Sequence, residues 1–401
     1  MEQVSGKAEK GRLIISLRGR IDSGNAKSVE DEVMKLRREN PGLSAVLDCQ
    51  GLEYISSAGL RVILRLRKED KDLCITNVSA EVYDIFEMTG FTEMMTVEKA
   101  YRELSVEGCD VIGQGSNGKV YRTDPETIVK VYFNPNAIDD IRHERDVARR
   151  ALILGIPTAI PYDIVRVGDT YGSVFELLNA KPFSQLITEE PERLDYYITM
   201  YVDLLKKIHC TDVPGGQLPD QREVALKWVR FLKDHLETGQ YEKLYSLVQA
   251  VPKCIRMIHG DYHTKNVMLQ NDEVLLIDMD TLAVGNPVFE FSSVFLAYRG
   301  FGELDHSHVT DFIGVSYETA GVILEETLRR YLGTDDPAVQ EDHLNRAEVV
   351  GYARLLRRTI RREPDNEALI SHCKKRLAEL LPQVDRLAYD LLPEDAADAL
   401  S

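Results

Sequence analysis

Residues His259 to Asn266 read His-Gly-Asp-Tyr-His-Thr-Lys-Asn, and this segment indicates the fold more clearly than any other. Asp261 is followed five positions later by Asn266, so a proton acceptor and a metal-binding amide share one short loop. In such a loop Asp261 would accept the proton of an attacking hydroxyl group, and Asn266 would bind Mg2+. We expect His259 to brace the loop through hydrogen bonds and His263 to be a structural histidine.

A second acidic segment follows this loop, where an apolar run from Leu275 to Ile277 ends in Asp278, Met279 and Asp280. Hard cations prefer oxygen ligands, so Asp278 is predicted to bind Mg2+. Asp280 would either support Asp278 or bind a second metal ion. The alternative, a surface acid at the end of a strand, is disfavoured by the loop just upstream.

A glycine-rich segment lies well before both motifs, from Gly113 to Tyr121, between two predicted strands. Glycine lets the backbone approach phosphate groups closely. A plain hairpin turn explains the same pattern equally well. If the segment covers a nucleotide, the predicted contacts are at Gly113, Gly115, Asn117, Gly118 and Val120.

Lys130 lies inside an apolar strand predicted over residues 128–132. A lysine there must be paired or bear a desolvation cost. Glu144 on the following helix is the candidate partner, although Arg142 and Asp146 lie beside it and leave the choice open. The alternative is an outward-facing lysine on an edge strand.

Taken in order, these segments resemble the aminoglycoside phosphotransferase and choline kinase branch of the protein-kinase-like fold, over about residues 108–392. The loop is similar to that branch's HGD-x-H-x-x-N motif, and residues 277–280 are similar to its IDxD-type metal motif. Lys265 stands where the branch often has glycine. The resemblance implies an α+β bilobal domain at 106–401, with a small β-rich N-lobe at about 106–178 and a large helical C-lobe at about 179–401.

The same resemblance implies a phosphotransferase that uses ATP, or alternatively GTP, together with Mg2+. Lys130 would hold the phosphates, Glu144 would orient Lys130, and backbone groups at Glu176 and Leu178 would meet the purine. Asp261 would direct the acceptor, which the branch suggests is a hydroxyl group of a small molecule.

The helical lobe carries no distinctive acceptor motif. Acids and aromatic residues there could serve a cationic acceptor, or could equally be surface and core residues. These residues are Glu189, Glu190, Glu192, Tyr196, Tyr197 and Trp228.

The first hundred residues alternate between predicted strands and helices, which indicates a small α/β domain. Leu13, Ile15 and Leu17 fall on one face of a strand, and Ser23 is a plausible N-cap for the next helix. The stretch 47–60 is strand, loop and helix start, with serines at positions 56 and 57 as candidate helix caps.

This region resembles a STAS domain of the kind found in bacterial anti-sigma-factor antagonists. The resemblance implies a regulatory or interaction domain at residues 1–105 that binds a protein partner. It also makes Ser57 a candidate phosphorylation site that switches partner binding. The family often has aspartate where Ser56 stands, and simple helix capping remains the alternative role for Ser57.

Composition limits the other classes of protein to which the chain could belong. With 401 residues the chain should form two or three domains, and its net charge of −17 disfavours a nucleic-acid partner. No apolar run reaches the ~20 residues of a membrane span, and no signal-peptide core precedes the first strand. Six scattered cysteines suggest reduced thiols, so we predict a cytoplasmic protein.

The leading hypothesis is therefore a phosphotransferase regulated or recruited through its STAS domain. In one alternative, the kinase fold is a nucleotide-bound scaffold and the STAS domain carries the output by binding a partner. In another, the kinase lobe phosphorylates Ser57 of its own or another chain.

Overall fold

The computed structural model describes residues 3–9, 11–115 and 117–392. The chain divides into two compact units, Met1–Ser105 with Ile164–Asp169, and Val106–Asp163 with Thr170–Ser401. Each unit has a hydrophobic core of its own. Within the part of the chain that the structure describes, no helix is both long and apolar enough to cross a membrane.

The first unit is a five-stranded sheet with helices in the connections. Its strands pair in the order β1-β2-β3-β4-β5, antiparallel between β1 and β2 and parallel elsewhere. The strands in this part of the chain are β1 (Val4–Glu9), β2 (Arg12–Ile21), β3 (Ser44–Ile55), β4 (Cys74–Val78), β5 (Val97–Lys99) and β6 (Arg102–Glu103). The helices are α1 (Ala26–Glu39), α2 (Ser57–Glu69), α3 (Ala80–Met88) and α4 (Phe91–Met94).

The alternating pattern of β2 is confirmed, because Leu13, Ile15 and Leu17 are all buried. The predicted cap at Ser23 is wrong. Asn25 occupies the N-cap position and its Oδ1 accepts a hydrogen bond from the Asp22 N–H at 2.8 Å. Residues 22–25 therefore close a turn before the helix begins.

The second unit changes from strands to helices along the chain, as predicted. The strands that follow β6 are β7 (Asp110–Gln114), β8 (Gly118–Arg122), β9 (Thr127–Tyr132), β10 (Pro161–Val167), β11 (Thr170–Glu176), β12 (Lys181–Pro182), β13 (Met257–Ile258), β14 (Val267–Gln270), β15 (Glu273–Leu276) and β16 (Ala283–Val284). The helices are α5 (Ile138–Ile153), α6 (Phe183–Glu189), α7 (Leu194–Cys210), α8 (Gln221–Phe231), α9 (Thr238–Ala250), α10 (Pro287–Tyr298), α11 (Ser307–Ile313), α12 (Tyr317–Leu332), α13 (Pro337–Arg362) and α14 (Glu367–Leu380).

Two features of this unit position the site. Strands β11, β9, β8 and β7 are neighbours in one sheet, and β9 carries Lys130 in its middle. The helical part is built around α10, in which all 12 residues are buried. A helix that is apolar all round needs neighbours on every side, and α13 supplies one of them.

Candidate functional site

A β-hairpin brings the loop motif and the acidic motif together. Strands β14 and β15 pair through Val267 and Leu276, and their turn contains Asn271 and Asp272, both with positive φ. A two-residue turn of this kind matches the twist of the two strands. Asn266 immediately precedes β14 and Asp278 follows β15, so both lie at the same end of the hairpin.

The loop before β14 is closed by its own backbone. Gly260 has a φ of 81°, and a Cβ there would lie 2.7 Å from the carbonyl oxygen of Thr281, so only glycine fits. The Asn266 side chain donates from Nδ2 to the carbonyl oxygen of Asp261 at 3.0 Å. No described residue donates to its Oδ1, which is therefore available to a metal ion.

The Asp261 side chain is about one-third exposed, with Oδ2 3.6 Å from Nε2 of His263. Burial raises the pKa of Asp261, but His263, His259 and Arg354 lower it, and the net shift is downward. Asp261 thus stays ionised. The Lys265 side chain bonds elsewhere, because its Nζ donates to the carbonyl of Phe312 at 3.0 Å.

The buried carboxylate of Glu290 holds the loop from behind. It accepts the backbone N–H groups of His259 and Gly260, at 2.5 and 2.9 Å. His209 Nε2 lies 3.7 Å away, and although burial raises the pKa of Glu290, His209 and His259 produce a net downward shift. Sequence reasoning missed Glu290. Its signal was a lone acid in an apolar helix, which requires an internal partner.

We expect Glu290→Leu to lower the free energy of unfolding by about 3–5 kcal/mol, because two buried backbone N–H groups lose their acceptor. Denaturant unfolding of the full chain measures the loss. Glu325→Leu is the matched control, since Glu325 makes only a surface pair with Arg299 and should cost less than about 1 kcal/mol. Equal unfolding midpoints for the two variants would contradict this role for Glu290.

Lys130, Glu144 and Asp278 form a second cluster. Lys130 Nζ lies 2.7 Å from Glu144 Oε1 and 3.6 Å from Asp278 Oδ1. Burial lowers the pKa of Lys130, but the two carboxylates raise it and the net shift is upward. The neighbours of Glu144 bond elsewhere, Arg142 to Asp139 and Asp146 to Arg145.

Tyr132 is a further member of the cluster of Lys130, Glu144 and Asp278, and the sequence did not predict its role. Its hydroxyl donates to Glu144 Oε2 at 2.5 Å, so Glu144 is held from two sides. Burial and the Glu144 charge raise the pKa of Tyr132, which therefore stays a neutral donor. Tyr132 and Lys130 are two residues apart on β9 and so share a face, which was the available signal.

Asp278 adopts a left-handed backbone conformation with a φ of 64°. Few side chains other than asparagine and aspartate tolerate this region. Burial, with the charges of Asp278 and Glu144, raises the pKa of Asp280 to about 7. Two carboxylates, those of Glu144 and Asp278, lie 2.7 and 3.6 Å from the ammonium nitrogen of Lys130.

The donor set fits Mg2+ with help from a ligand. Within residues 3–9, 11–115 and 117–392, no three His, Cys, Asp or Glu side chains converge on a common metal position. The oxygen donors at hand are Asn266 Oδ1 and the carboxylate of Asp278, with Asp280 close by. Mg2+ is typically held by one or two carboxylates and completed by phosphate oxygens and water.

The glycine-rich segment forms the β7–β8 hairpin. A Cβ on Gly118 would lie 2.3 Å from the carbonyl oxygen of Val131, so the sheet itself requires this glycine. Gly113 and Gly115 have room for a side chain. The carbonyl of Asn117 accepts the N–H of Phe133 at 3.0 Å, and Val120 pairs with Lys130 in the β8–β9 ladder.

The predicted hinge lies at the end of β11. The Glu176 N–H donates to the carbonyl of Ile160 at 3.0 Å, and the Leu177 N–H donates to the carbonyl of Glu126 at 2.7 Å. Neither backbone polar group of Leu178 bonds to another described residue. Leu178 therefore has backbone groups to offer a base, whereas the N–H of Glu176 is already used.

A cleft of about 930 Å³ opens beside Asp261 in the helical part. Trp228 lines it, but the acids considered for a cationic acceptor do not. Glu189 pairs with Lys181, and Glu190 pairs with Arg193, each at 2.7 Å.

In the first unit, the cap of α2 is Ser56, whose Oγ accepts the N–H of Gly59 at 3.4 Å. Ser57 is the first residue of the helix and its side chain is exposed. The capping role considered for Ser57 is thus filled by its neighbour.

Comparison with known families agrees with both halves of the chain. The phosphotransferase enzyme family matches residues 110–322, and the STAS domain family matches residues 3–104. The chain belongs to the phosphotransferase enzyme family and carries an N-terminal STAS domain. The predicted fold, an α/β STAS domain followed by a kinase-like α+β domain, is confirmed.

Individual relatives are similar either to the STAS region or to the phosphotransferase region. A Bordetella bronchiseptica protein described as an anti-sigma factor antagonist, BtrV, is 36% identical over 91 residues, which cover 22% of this chain and 78% of the relative. The ADP-bound aminoglycoside phosphotransferase APH(2'')-Ib is 16% identical, covering 76% of this chain and 99% of that one, with a TM-score of 0.47. A choline/ethanolamine kinase family protein from Mesorhizobium loti is 14% identical, covering 73% and 92%, with a TM-score of 0.46.

Proposed function

We propose that residues 106–401 transfer the terminal phosphoryl group of ATP to a hydroxyl group of a small molecule, with Mg2+ bound. The observation that carries this is the convergence of the Lys130–Glu144 pair with Asp278, which the hairpin places beside the loop of Asp261 and Asn266. Membership of the phosphotransferase enzyme family supports it. GTP is the alternative nucleotide.

Each group has a role in this proposal. Lys130, held by Glu144 and Tyr132, binds phosphate oxygens, and Asp261 orients the acceptor hydroxyl and accepts its proton. Asn266 and Asp278 would hold Mg2+, with Asp280 in support. When bound, the ion supplies positive charge that neutralises the phosphates.

The nucleotide itself would be bound mainly by backbone groups. The segment with Gly113, Gly115, Asn117, Gly118 and Val120 would cover the phosphates. Leu178, with Glu176 beside it, would meet the purine.

The test is phosphoryl transfer itself. Purified full-length protein is incubated with Mg-ATP and fractionated metabolite pools, and products are sought by mass spectrometry as compounds heavier by one phosphoryl group. Nucleotide bound without transfer to any acceptor would favour the scaffold alternative. A protein that binds no Mg-nucleotide at all would contradict the proposal.

We expect Lys130→Ala to weaken Mg-ATP binding about 10- to 100-fold, because charge-assisted contacts to phosphate contribute about 1.5–3 kcal/mol. Calorimetric titration measures the change. Arg122→Ala removes an exposed cation from the neighbouring strand β8 and should leave the affinity unchanged. If both variants bind as the wild type does, Lys130 has no role at the phosphates.

For the STAS domain at residues 1–105, we propose regulation or recruitment through a protein partner, with Ser57 as candidate phosphorylation site. The observation that favours it is the exposed Ser57 hydroxyl at the start of α2, in a region similar to an anti-sigma factor antagonist. Phosphate at a helix N-terminus is tolerated by the helix dipole and changes the surface that a partner meets.

Intact-mass spectrometry after incubation with ATP tests whether the kinase part phosphorylates this serine. The hypothesis requires an added phosphate that disappears in Ser57→Ala but persists in Ser56→Ala. No added phosphate on the wild-type chain would rule out self-phosphorylation.

A further inference from the structure

The cleft beside Asp261 has an unusual charge for this protein. We name it the arginine cleft, because five arginines of α13 line it. Only two carboxylates, those of Asp261 and Glu363, are among its described lining residues. The arginines are Arg354, Arg357, Arg358, Arg361 and Arg362. The whole chain carries a net charge of −17, so the charge of the cleft is opposite in sign to that of the chain as a whole.

Among the residues that the structure describes, none of these five guanidinium groups forms an ion pair with a carboxylate. Two of them contact aromatic rings instead: the guanidinium carbon of Arg354 lies 5.6 Å from the centre of the Trp228 ring, and that of Arg358 lies 5.3 Å from the centre of the Phe301 ring. Burial and the charges of Arg361 and Arg362 lower the pKa of Arg357, which reflects the crowding of like charges.

The arginine cleft is also joined to the catalytic loop. Arg354 Nη1 donates to the carbonyl of Gly260 at 3.1 Å, next to Asp261. Spacings of three and four residues between positions 354, 357, 358, 361 and 362 direct these side chains toward one side of α13. A ligand that reaches Asp261 through this cleft must pass the unpaired guanidinium groups.

We propose that the phosphate acceptor is an anionic hydroxyl compound, whose phosphate or carboxylate groups bind the arginines of the cleft while its hydroxyl meets Asp261. The inference rests on the proposed function and names its substrate class. Guanidinium groups bind such oxyanions through paired hydrogen bonds. A polycationic acceptor of the aminoglycoside type is repelled by the same groups.

The transfer step balances without any further reactant. The acceptor hydroxyl oxygen bonds to the terminal phosphorus of ATP, and the bond from that phosphorus to the bridging oxygen breaks. The hydroxyl proton passes to Asp261 and then to solvent. The products are ADP and a phosphate ester of the acidic acceptor.

Binding of simple anions to the full-length protein tests the cleft directly. Inorganic phosphate and citrate are titrated by calorimetry. The anion with the higher affinity shows whether the cleft prefers phosphate or carboxylate groups. Kanamycin serves as the cationic comparison. We expect Arg358→Ala with Arg361→Ala to weaken anion binding by at least about tenfold and to leave Mg-ATP affinity unchanged.

Two controls separate the cleft from other sources of affinity. Lys35→Ala with Arg38→Ala removes two exposed cations from α1, and Arg122→Ala removes an exposed cation from β8. Both should bind the anions as the wild type does. A loss in either control equal to that in the cleft variant would overturn the proposal, because the affinity would then reflect general positive charge.

The remaining outcomes are also decisive. Failure of both anions to bind, or tighter binding of kanamycin, would overturn the proposal of an anionic acceptor. If Mg-ATP binding is intact in the same protein, the proposed phosphotransferase function is not affected. A wild-type protein that binds anions but no Mg-ATP would contradict the proposed function instead. Products in the metabolite screen should be phosphate esters of acidic compounds, and a phosphate ester of a polycationic alcohol would overturn the inference.

Discussion

Asp261→Asn should lower the rate of phosphoryl transfer about a thousandfold while leaving Mg-ATP affinity within a factor of about three. Loss of a positioned proton acceptor typically costs 10²–10⁴-fold in rate. The loop around this residue is fixed by contacts that do not use the Asp261 side chain. Glu290 holds two N–H groups, and Asn266 holds the Asp261 carbonyl.

The matched control is Asp272→Asn, the same substitution in the turn of the same hairpin. Asp272 is exposed with a φ of 66°, which asparagine tolerates, so activity should not change. Steady-state kinetics with the acceptor found in the screen gives the rates. Comparable rates for the Asp261 variant and the wild type would assign proton acceptance to another group.

Asp278→Asn should abolish most of the Mg2+-dependence of nucleotide binding. We expect the affinity gained from Mg2+ to fall about 10- to 100-fold, because one of two candidate oxygen donors loses its charge. Asparagine is chosen because it accepts the left-handed backbone at this position, whereas alanine would add strain.

Titrations of ATP with Mg2+ and with a chelator measure this dependence. Folding is checked by the unfolding midpoint, which should match that of the wild type. A variant that retains the full effect of Mg2+ would place the metal ion elsewhere. If the chelator does not affect ATP binding by the wild type, Mg2+ has no role in nucleotide binding.

The fold was predictable, and the candidate site residues could be named, because both rest on local patterns. The alternation in β2 and the order of strands before helices follow from spacing along the chain. The loop at Asp261 and the acid at Asp278 are recognisable because each motif lies within a few residues. Their convergence had a local signal as well, the Asn271-Asp272 turn between two apolar strands.

The supporting contacts were not predictable, because they join residues far apart in sequence. Glu290 lies about thirty positions after the N–H groups it holds, and Arg354 more than ninety after Gly260. Spacing along one element cannot show which distant element it meets. The missed strand β1 has a different cause, since an edge strand with only Val4 buried lacks an alternating pattern.

Net charge was a poor guide to the charge of the arginine cleft. The whole chain is acidic, yet the cleft beside Asp261 is lined by α13 arginines. A sum over the whole chain averages out local clusters, and only the packing of α13 beside the loop shows which charges face the site.

Phosphoryl transfer at the Asp261 loop can be followed through the terminal phosphate of ATP. ATP labelled in its terminal phosphate is incubated with Mg2+, the acidic metabolite fraction and either the wild type or Asp261→Asn. We predict labelled product from the wild type only, with both proteins binding Mg-ATP. Equal labelling by both proteins, or none by a wild type that binds Mg-ATP, would contradict the account.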